Sequence, residues 1–262
     1  MSNNSVSNYL TIDRDGHILL IGLNRPDKRN AMNEAMLQEL AAAYRQLHDD
    51  AELRVGVVYA HGDHFSAGLD LADIAPKLAA GSLDTVAGGL DPWGVQTEQT
   101  AKPVVLALQG YAYTLAIELA LASDVVVAAE STQFAQLEVA RGIMPFGGAT
   151  LRFSRLGWGN AMQHILTGDT FDAREAHRIG LVQQVAADGE QLATAIEVAA
   201  QIARNAPLAV QASLASARAA LTDYEGARAQ LAPTAAGLAA TKDAARAAES
   251  YLRGEPIPFE GN

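Results

Sequence analysis

The fold of this chain is decided by residues 104–129, which read VVLALQGYAYTLAIELALASDVVVAA. The runs Val104–Leu108 and Val125–Ala129 are short, apolar and rich in valine, which is typical of strands that are buried on both faces. Between them, Leu115–Ala122 is apolar on every side except for Glu118, which is typical of a short buried helix. Because the order strand, helix, strand recurs along the chain, the sequence predicts an α/β architecture.

The residues on the N-terminal side of this segment carry the same signals. Two β-prone runs, Tyr9–Asp13 and His17–Leu23, flank the turn residues Asp15-Gly16 and predict a hairpin. Asn33 is the predicted N-cap of a helix that runs to about residue 49, where apolar residues recur at helical spacing. Arg54–Ala60 is a further buried-type strand, and a loop that contains glycines follows it up to residue 70.

The C-terminal side divides into an irregular segment and a helical region. Residues 75–101 are rich in Gly, Ala and Pro, and we expect a mobile segment that covers a pocket. After about Gly189 alanine becomes frequent and strand signals disappear. Asp188 with Gln191 predicts the cap of a helix through Ala203, and Pro207 opens the next helix. Further helices are predicted from about residue 223 and over residues 242–252.

These signals predict two regions. Residues 1–204 form an α/β core that carries the functional site, and residues 205–262 form a helical region. The helical region is a candidate for association with other subunits, because alanine-rich helices pack closely. The alternative is that it simply caps the same core.

Composition and charge exclude several classes of protein. The net charge of −11 disfavours non-specific binding of nucleic acids, which needs a basic surface. The chain has no cysteine, so disulfides, thiolate metal sites and a cysteine nucleophile are excluded. No apolar run is long enough to span a bilayer, and Met1–Asn8 lack the charged-then-apolar order of a secretory signal. We therefore expect a cytoplasmic protein without membrane or nucleic-acid partners.

Two glutamates are candidates for acid–base chemistry. Glu118 lies inside an apolar helix, where burial raises the pKa of a carboxyl group and suits it to act as a general acid or base near neutral pH. The alternative is a structural glutamate that bonds to an arginine or to the backbone, and the sequence weighs the two interpretations equally. Glu138 alone is a weaker candidate, because Arg141 is near enough in sequence to pair with it.

The loop Phe65–Leu71 brings small residues to the end of a predicted strand, where backbone N–H groups can approach a ligand. Ser66 in this loop lacks the Gly-x-Ser-x-Gly flanks of a serine hydrolase. His61 and His64 have no third ligand nearby, so we interpret them as surface histidines and predict no metal site. Gly147-Gly148 fits neither a phosphate loop nor a dinucleotide fingerprint.

Motifs along nearly the whole chain resemble, in order and spacing, those of the enoyl-CoA hydratase/isomerase (crotonase) family. They are Leu23–Pro26 with Asn30–Met32, Phe65–Leu71, Lys102–Ala112, Glu118–Asp124, Phe134–Glu138 with Gly142 and Pro145, Leu166–Asp169 with Ala173, Glu175–Ala176 and Gly180–Val182, and the tail Tyr251–Phe259. The resemblance implies a spiral core of ββα turns and a helical C-terminal region that builds homotrimers, two of which commonly stack into a homohexamer. It also implies an acyl-CoA thioester as ligand, so that coenzyme A is part of the substrate and no metal or redox cofactor is needed.

The same resemblance implies a set of site residues. The backbone N–H groups of Leu69 and Leu115 would form an oxyanion hole for the thioester carbonyl. In the hydratase branch of the family, Glu118 and Glu138 would hold and activate one water molecule. The residues that would contact the substrate or its coenzyme A are Arg29, Ala31, Ala67, Asp70, Leu71 and Phe146.

The retained glutamate pair favours a lyase of fatty acid and lipid metabolism that hydrates a 2-enoyl-CoA, or catalyses the reverse dehydration. The alternatives are another reaction of the same enolate, namely double-bond isomerisation, decarboxylation or C–C cleavage, and a non-catalytic CoA-binding protein. RNA binding, which occurs in some relatives, is disfavoured by the acidic charge.

The chain departs from the family pattern at three places. Tyr113–Ala116 replaces a glycine-rich run, so that backbone conformations favourable only to glycine would be strained. Leu137 replaces a proline, and Phe146 replaces a glycine beside the site. The larger side chains predict a narrower pocket, and we expect a specialised substrate rather than a general short-chain thioester.

Overall fold

The structure is a computed structural model that describes residues 9–254 and 257–262. The strands of this part of the chain are β1 Leu10–Asp15, β2 Ile18–Leu23, β3 Val55–Ala60, β4 Val104–Leu108, β5 Tyr111–Tyr113, β6 Val125–Ala129, β7 Gln133–Ala135, β8 Thr170–Asp172 and β9 Gln184–Ala186. Its α-helices are α1 Glu34–Asp49, α2 Leu71–Ala79, α3 Leu115–Ala122, α4 Ala149–Arg152, α5 Trp158–Thr167, α6 Ala173–Arg178, α7 Gln191–Ala203, α8 Pro207–Ala220, α9 Tyr224–Ala239 and α10 Lys242–Arg253. Short 3-10 helices span Pro26–Lys28, Val139–Arg141 and Phe153–Leu156. Met1–Asn8, which we examined for a secretory signal, lie outside the described residues.

A six-stranded sheet in the order β1-β2-β3-β4-β6-β9 forms the centre of the molecule. β1 and β2 pair antiparallel as the predicted hairpin, and every other pair of neighbours in this sheet is parallel. Strand β5 follows β4 along the chain and β7 follows β6. These two strands form a smaller sheet with β8, in the order β5-β7-β8. The predicted α/β fold is therefore confirmed, and β4, α3 and β6 have the bounds that the sequence predicts.

Strand β4 shows why helices cover both faces of the central sheet. Its side chains alternate between the two faces. Leu106 and Leu108 belong to the larger hydrophobic cluster, which α1 and α3 also fill. Val105 and Ala107 belong to the second cluster, where they pack with Ala195 of α7. A strand that is buried on both sides has to be apolar throughout, which is why residues 104–108 carry no polar side chain.

The segment predicted to be irregular begins later than expected. Residues 71–79 form helix α2, although the sequence predicts irregular structure from residue 75. The helix is held in place because Ile74 is fully buried and Lys77 pairs with Glu34 of α1 at 2.8 Å. After the helix, Leu90 and Trp93 are buried against the rest of the protein. The predicted mobility of the segment stays a prediction.

Helix α7 ends at Ala203 as predicted, but it begins at Gln191 and its predicted cap at Asp188 is wrong. The carboxylate of Asp188 accepts a hydrogen bond from the backbone N–H of Ser131 at 3.1 Å. Glu190 occupies the N-cap position and makes no capping hydrogen bond with its side chain. Asp188 is therefore used for a contact between segments that are distant in sequence, which a local capping pattern cannot reveal.

Helices α8, α9 and α10 form the C-terminal region. Pro207 opens α8 as predicted. Arg218 of α8 pairs with Asp124, which directly precedes β6, at 2.9 Å and so ties this region to the core. The division at residue 205 stays a prediction. Within the described residues, no helix is both long and apolar enough to cross a membrane.

The last residues of the chain are anchored on α10. The buried carboxylate of Asp243 accepts hydrogen bonds from the backbone N–H groups of Glu260 at 2.9 Å and Gly261 at 2.7 Å. It also pairs with Arg246 at 2.9 Å. Burial acts to raise the pKa of Asp243. These hydrogen bonds outweigh that effect and hold the pKa below its ordinary value.

Candidate active site

Glu118 is the fourth residue of α3 and is 1% exposed. Because α3 is apolar on every side, the fold that buries the helix also buries this carboxyl group. One of its oxygens, Oε1, accepts a hydrogen bond from the backbone N–H of Ala149 at 3.0 Å. Burial raises the pKa of Glu118 to about 7; the Ala149 hydrogen bond opposes this shift, and the negative charge of Glu138 adds to it. Both protonation states are therefore populated at neutral pH, as acid–base chemistry requires.

Glu138 lies just after β7, at the start of the 3-10 helix Val139–Arg141, and is 6% exposed. Its Oε1 accepts a hydrogen bond from Nε2 of Gln136 at 3.1 Å, whereas Oε2 is buried and has no hydrogen-bond partner among the described residues. Burial raises the pKa of Glu138, and the charge of Arg141 and the Gln136 hydrogen bond oppose the shift. Within residues 9–254 and 257–262, Glu138 forms no ion pair with Arg141, so the simple surface pair that the sequence allowed is absent.

The N–H groups of Leu69 and Leu115 have no hydrogen-bond partner within the described residues. Leu115 is the first residue of α3, where a helical N–H has no partner inside the helix. Leu69 lies in a bridge with Met32, and this bridge uses the carbonyl of Gly68 and the N–H of Asp70 but leaves the Leu69 N–H unused. Both leucines line the same cavity.

Thr114 and Gly68 precede the two leucines and pack directly against each other. Thr114 has φ 52° and ψ −111°, a conformation that costs a β-branched residue about 1–3 kcal/mol. The side chain of Thr114 fills the space that a Cβ atom at position 68 would need, and Gly68 itself has φ 93°. The backbone strain expected for the segment 113–116 is thus present at Thr114. The close contact of Thr114 with Gly68 keeps this conformation in place and joins the two segments that carry the free amides.

The cavity has a volume of about 30 Å³. Its apolar wall consists of Leu37, Leu69, Leu83, Trp93, Val95, Leu115 and Phe146. Gly147 also lines it, and a Cβ atom at Gly147 would lie 2.8 Å from Oε2 of Glu118 and 2.8 Å from Cδ1 of Leu115. The Glu118 carboxyl group is therefore immediately behind Gly147, at the edge of the cavity.

The sequence did not single out the residues that build the far wall of the cavity. Trp93 donates a hydrogen bond from Nε1 to the carbonyl oxygen of Leu115 at 3.0 Å. The buried carboxylate of Asp91 accepts hydrogen bonds from the backbone N–H groups of Trp93, Val95 and Gln96 at 3.0, 2.8 and 2.8 Å. The available signal was the Asp-Pro-Trp-Gly run at residues 91–94, in which an aspartate side chain can close a turn on following backbone N–H groups.

The predicted coenzyme A contacts lie mostly on two segments that are hydrogen-bonded to each other, one before α1 and one after β3. Arg25, which the sequence did not single out either, donates hydrogen bonds to the carbonyl oxygen of Ala31 at 2.7 Å and to the carboxylate of Asp70 at 2.8 Å. The N–H of Ala67 donates to the carbonyl oxygen of Arg29 at 2.9 Å. Five of the predicted contacts therefore lie on these two joined segments, namely Arg29, Ala31, Ala67, Asp70 and Leu71. The sixth, Phe146, lies in the cavity wall.

The polar residues that were considered and set aside have structural partners. Ser66 is fully buried, and its hydroxyl group donates to the carbonyl oxygen of Asn30 at 2.8 Å and accepts from the N–H of Gly68 at 3.0 Å. His61 and His64 contact neighbouring side chains. In the described part of the chain, no group of three or more His, Asp or Glu residues could hold a metal ion.

Comparisons with known proteins assign the chain to a family. The model of the enoyl-CoA hydratase/isomerase family matches residues 13–261. The chain belongs to this family. It is 34% identical over 254 residues to the 2,3-dehydroadipyl-CoA hydratase of Escherichia coli, with 96% of this chain and 98% of that protein covered. It is 33% identical over 215 residues to the short-chain-enoyl-CoA hydratase of Clostridium acetobutylicum, with 79% of each chain covered.

Solved structures of enoyl-CoA hydratases have the same fold. A probable enoyl-CoA hydratase/isomerase from Mycobacterium abscessus superposes with a TM-score of 0.94 at 50% identity, covering 98% of this chain and 100% of that one. The enoyl-CoA hydratase from Mycobacterium tuberculosis H37Rv superposes with a TM-score of 0.88 at 32% identity, covering 97% and 99%. The crotonase-type fold that the motifs imply is therefore confirmed.

Proposed function

We propose that this protein is a lyase that adds water to the double bond of a 2-enoyl-CoA thioester and forms a 3-hydroxyacyl-CoA, or catalyses the reverse dehydration. One observation carries the proposal: the buried Glu118, whose pKa is raised by burial and by the charge of the buried Glu138, lies next to a cavity that is lined by two leucines with unpartnered backbone amides. The names of the relatives, several of which are enoyl-CoA hydratases, support the same reaction.

The free amides suit the charge that develops in this reaction. Addition of water to the β-carbon puts negative charge on the thioester oxygen, because the intermediate is an enolate. The N–H groups of Leu69 and Leu115 would donate hydrogen bonds to that oxygen, and the N-terminus of α3 adds its favourable dipole. Donors of this kind, already oriented in an apolar cavity, contribute roughly 100-fold or more to the rate.

The two carboxyl groups suit the proton transfers. One carboxylate would accept a proton from water while the water oxygen bonds to the β-carbon, and a carboxylic acid would supply a proton to the α-carbon. The net result is the addition of one water molecule with no redox change. The unpaired Oε2 of Glu138 is an acceptor for such a water, and Glu118 with a pKa of about 7 can serve in either role. Because the two groups interact, the assignment of acid and base belongs to the pair.

The test is a panel of purified 2-enoyl-CoA thioesters with the product mass as readout. Loss of the conjugated absorbance with a gain of one water molecule supports hydration. An unchanged mass would instead indicate isomerisation, and a lighter product would indicate decarboxylation or C–C cleavage. Binding of the thioester without any product would indicate a non-catalytic CoA-binding protein. An unchanged mass, a lighter product or binding alone would each overturn the proposal.

The remaining expectations belong to the same proposal. The enzyme would need coenzyme A only as part of its substrate, without a metal or redox cofactor, and would act on lipid-derived acyl groups in the cytoplasm. It would work as a homotrimer or homohexamer assembled through residues 205–262, where Leu231, Tyr251 and Leu252 expose large apolar side chains. Light scattering coupled to gel filtration distinguishes one, three and six copies.

A further inference from the structure

His164 is a buried histidine that the proposed mechanism does not use. It lies on α5 and is 2% exposed. Its Nδ1 donates a hydrogen bond to the carboxylate of Asp169 at 2.8 Å, because an ionised carboxylate can only accept. Its Nε2 has no hydrogen-bond partner among the described residues and lies 3.9 Å from Oε1 of Glu175. An apolar side chain would fill this space at a lower cost, since burial of a polar group is unfavourable unless it is hydrogen-bonded. The histidine therefore indicates a role for its bond to Asp169.

The ring of His164 belongs to a stack of aromatic side chains that reaches strand β7. It stacks on Phe171 of β8 with the ring centroids 3.9 Å apart, and Phe171 stacks in turn on Phe134 of β7 at 5.4 Å. Phe134 and Phe171 are direct partners in the antiparallel pairing of these two strands. Because Phe134 is fully buried and Glu138 follows shortly after β7, the stack helps to fix the strand that leads to Glu138.

The hydrogen bond to Asp169 connects His164 to the same strand by a second route. Asp169 directly precedes Thr170, which is the partner of Ala135 in the pairing of β8 with β7. Gly168, at the end of α5, packs against the backbone after β7, since a Cβ atom at Gly168 would lie 3.3 Å from the carbonyl oxygen of Gln136. The turn that Asp169 anchors therefore supports the segment that follows β7.

The side chain of Gln136 is the link between this segment and the candidate active site. Gln136 is fully buried, and its Nε2 donates a hydrogen bond to Oε1 of Glu138 at 3.1 Å. The other oxygen of Glu138, Oε2, is the proposed acceptor for the water molecule. A shift of β7 or of the turn at Gly168 would move the Gln136 donor and so turn Oε2 away from its present direction.

We infer that His164 is a positioning residue for Glu138: through its hydrogen bond to Asp169 and its stack on Phe171, it fixes the backbone that carries the Glu138 carboxyl group. His164 does not line the cavity, so it acts on the reaction only through other residues. The inference rests on the proposed function for the role of Glu138 in turnover.

The first experiment compares wild type with His164→Leu on the 2-enoyl-CoA thioester that wild type hydrates fastest. We expect kcat to fall by about tenfold or more and KM to stay within about twofold, because a misplaced carboxylate slows proton transfer without removing a binding contact. His177→Leu makes the same change at an exposed histidine, which bonds to the carbonyl oxygen of Val182, and should leave kcat unchanged. A normal kcat in His164→Leu, or a change that lies mainly in KM, would overturn the inference.

A double variant distinguishes positioning from a general loss of structure. Once Glu138→Gln has removed the carboxylate, its position no longer matters, so Glu138→Gln with His164→Leu should have the same kcat as Glu138→Gln alone. A further fall in the double variant, as large as that in His164→Leu, would mean that His164 acts independently of Glu138. If His164→Leu does not fold, Asp169→Ala breaks the same hydrogen bond from a side chain that is 37% exposed and should show the same pattern.

Hydrogen–deuterium exchange followed by mass spectrometry gives a readout that does not depend on turnover. In the substrate-free protein, His164→Leu should increase exchange over residues 133–141 severalfold and leave residues 104–108 of β4 unchanged. Unchanged exchange over residues 133–141 would overturn the inference even if hydration is confirmed. Increased exchange there, in a protein that hydrates no thioester, would support the contacts and overturn the proposed function instead.

Discussion

The indole Nε1 of Trp93 donates a 3.0 Å hydrogen bond to the carbonyl oxygen of Leu115, the residue whose N–H we assign to the oxyanion hole. Trp93→Phe should therefore lower the free energy of unfolding by about 1–3 kcal/mol, since a buried carbonyl loses a partner. It should also lower kcat severalfold, because the first residue of α3 is less firmly positioned. Urea denaturation and steady-state kinetics measure the two effects. Trp158→Phe, which changes a tryptophan that is 72% exposed, is the control and should alter neither.

The glutamate pair gives the most direct test of the mechanism. Glu118→Gln and Glu138→Gln should each lower kcat by about 100-fold or more, because each removes a group that transfers a proton. Circular dichroism should show an unchanged fold, since glutamine has nearly the same shape. The exposed Glu130 offers a matched control, and Glu130→Gln should retain full activity. Near-normal turnover in either active-site variant would contradict the two-carboxylate mechanism.

The pH dependence of kcat/KM should report the raised pKa of Glu118. We expect an ionisation near pH 7 in wild type, because burial and the charge of Glu138 both disfavour the carboxylate. Glu138→Gln removes that negative charge, so the ionisation followed in its residual activity should move to lower pH. A profile that rises through this pH indicates that the pair acts in its deprotonated form, and a falling profile indicates the protonated form. An ionisation that stays in place in Glu138→Gln would show that the two carboxyl groups do not interact.

Stability should depend on the same group without any substrate present. Between its ordinary value of 4.5 and about 7, the unfolded chain releases the Glu118 proton while the folded protein keeps it. Wild type should therefore lose stability relative to Glu118→Gln as the pH rises through this range, by up to roughly 3 kcal/mol. The measurement is a pair of urea denaturation series from pH 4.5 to 8. Parallel curves would mean that the carboxyl group is not buried as described.

The contact between Gly68 and Thr114 predicts a coupled pair of substitutions. Gly68→Ala should cost about 2–4 kcal/mol, because alanine is strained at φ 93° and its Cβ atom overlaps the Thr114 side chain. Combined with Thr114→Gly, the same change should cost less, with a coupling energy of at least about 1 kcal/mol. Gly16→Ala separates the two causes, because Gly16 also has positive φ but has open space around it. Additive effects at positions 68 and 114 would contradict the contact.

Much of the fold could be predicted because its signals are local. The apolar runs on either side of α3 show β4, β6 and the burial of Glu118 without any knowledge of tertiary contacts. The far wall of the cavity could not be predicted in this way, because Trp93 reaches a carbonyl group 22 residues away. The predicted cap at Asp188 was wrong for the same reason, since its partner is 57 residues away. Contacts between residues that are far apart in the sequence leave no periodic pattern, so they cannot be predicted from a single sequence.

The anchoring of the chain end on Asp243 has a practical consequence for handling the protein. A truncation that removes Glu260–Asn262 would strip two amide donors from a buried carboxylate and leave Arg246 as its remaining partner. An affinity tag joined directly after Asn262 would begin one residue beyond the Gly261 N–H that bonds to this carboxylate and would crowd the anchor. Proteolytic loss of the last three residues should, for the same reason, lower the thermal stability of the protein.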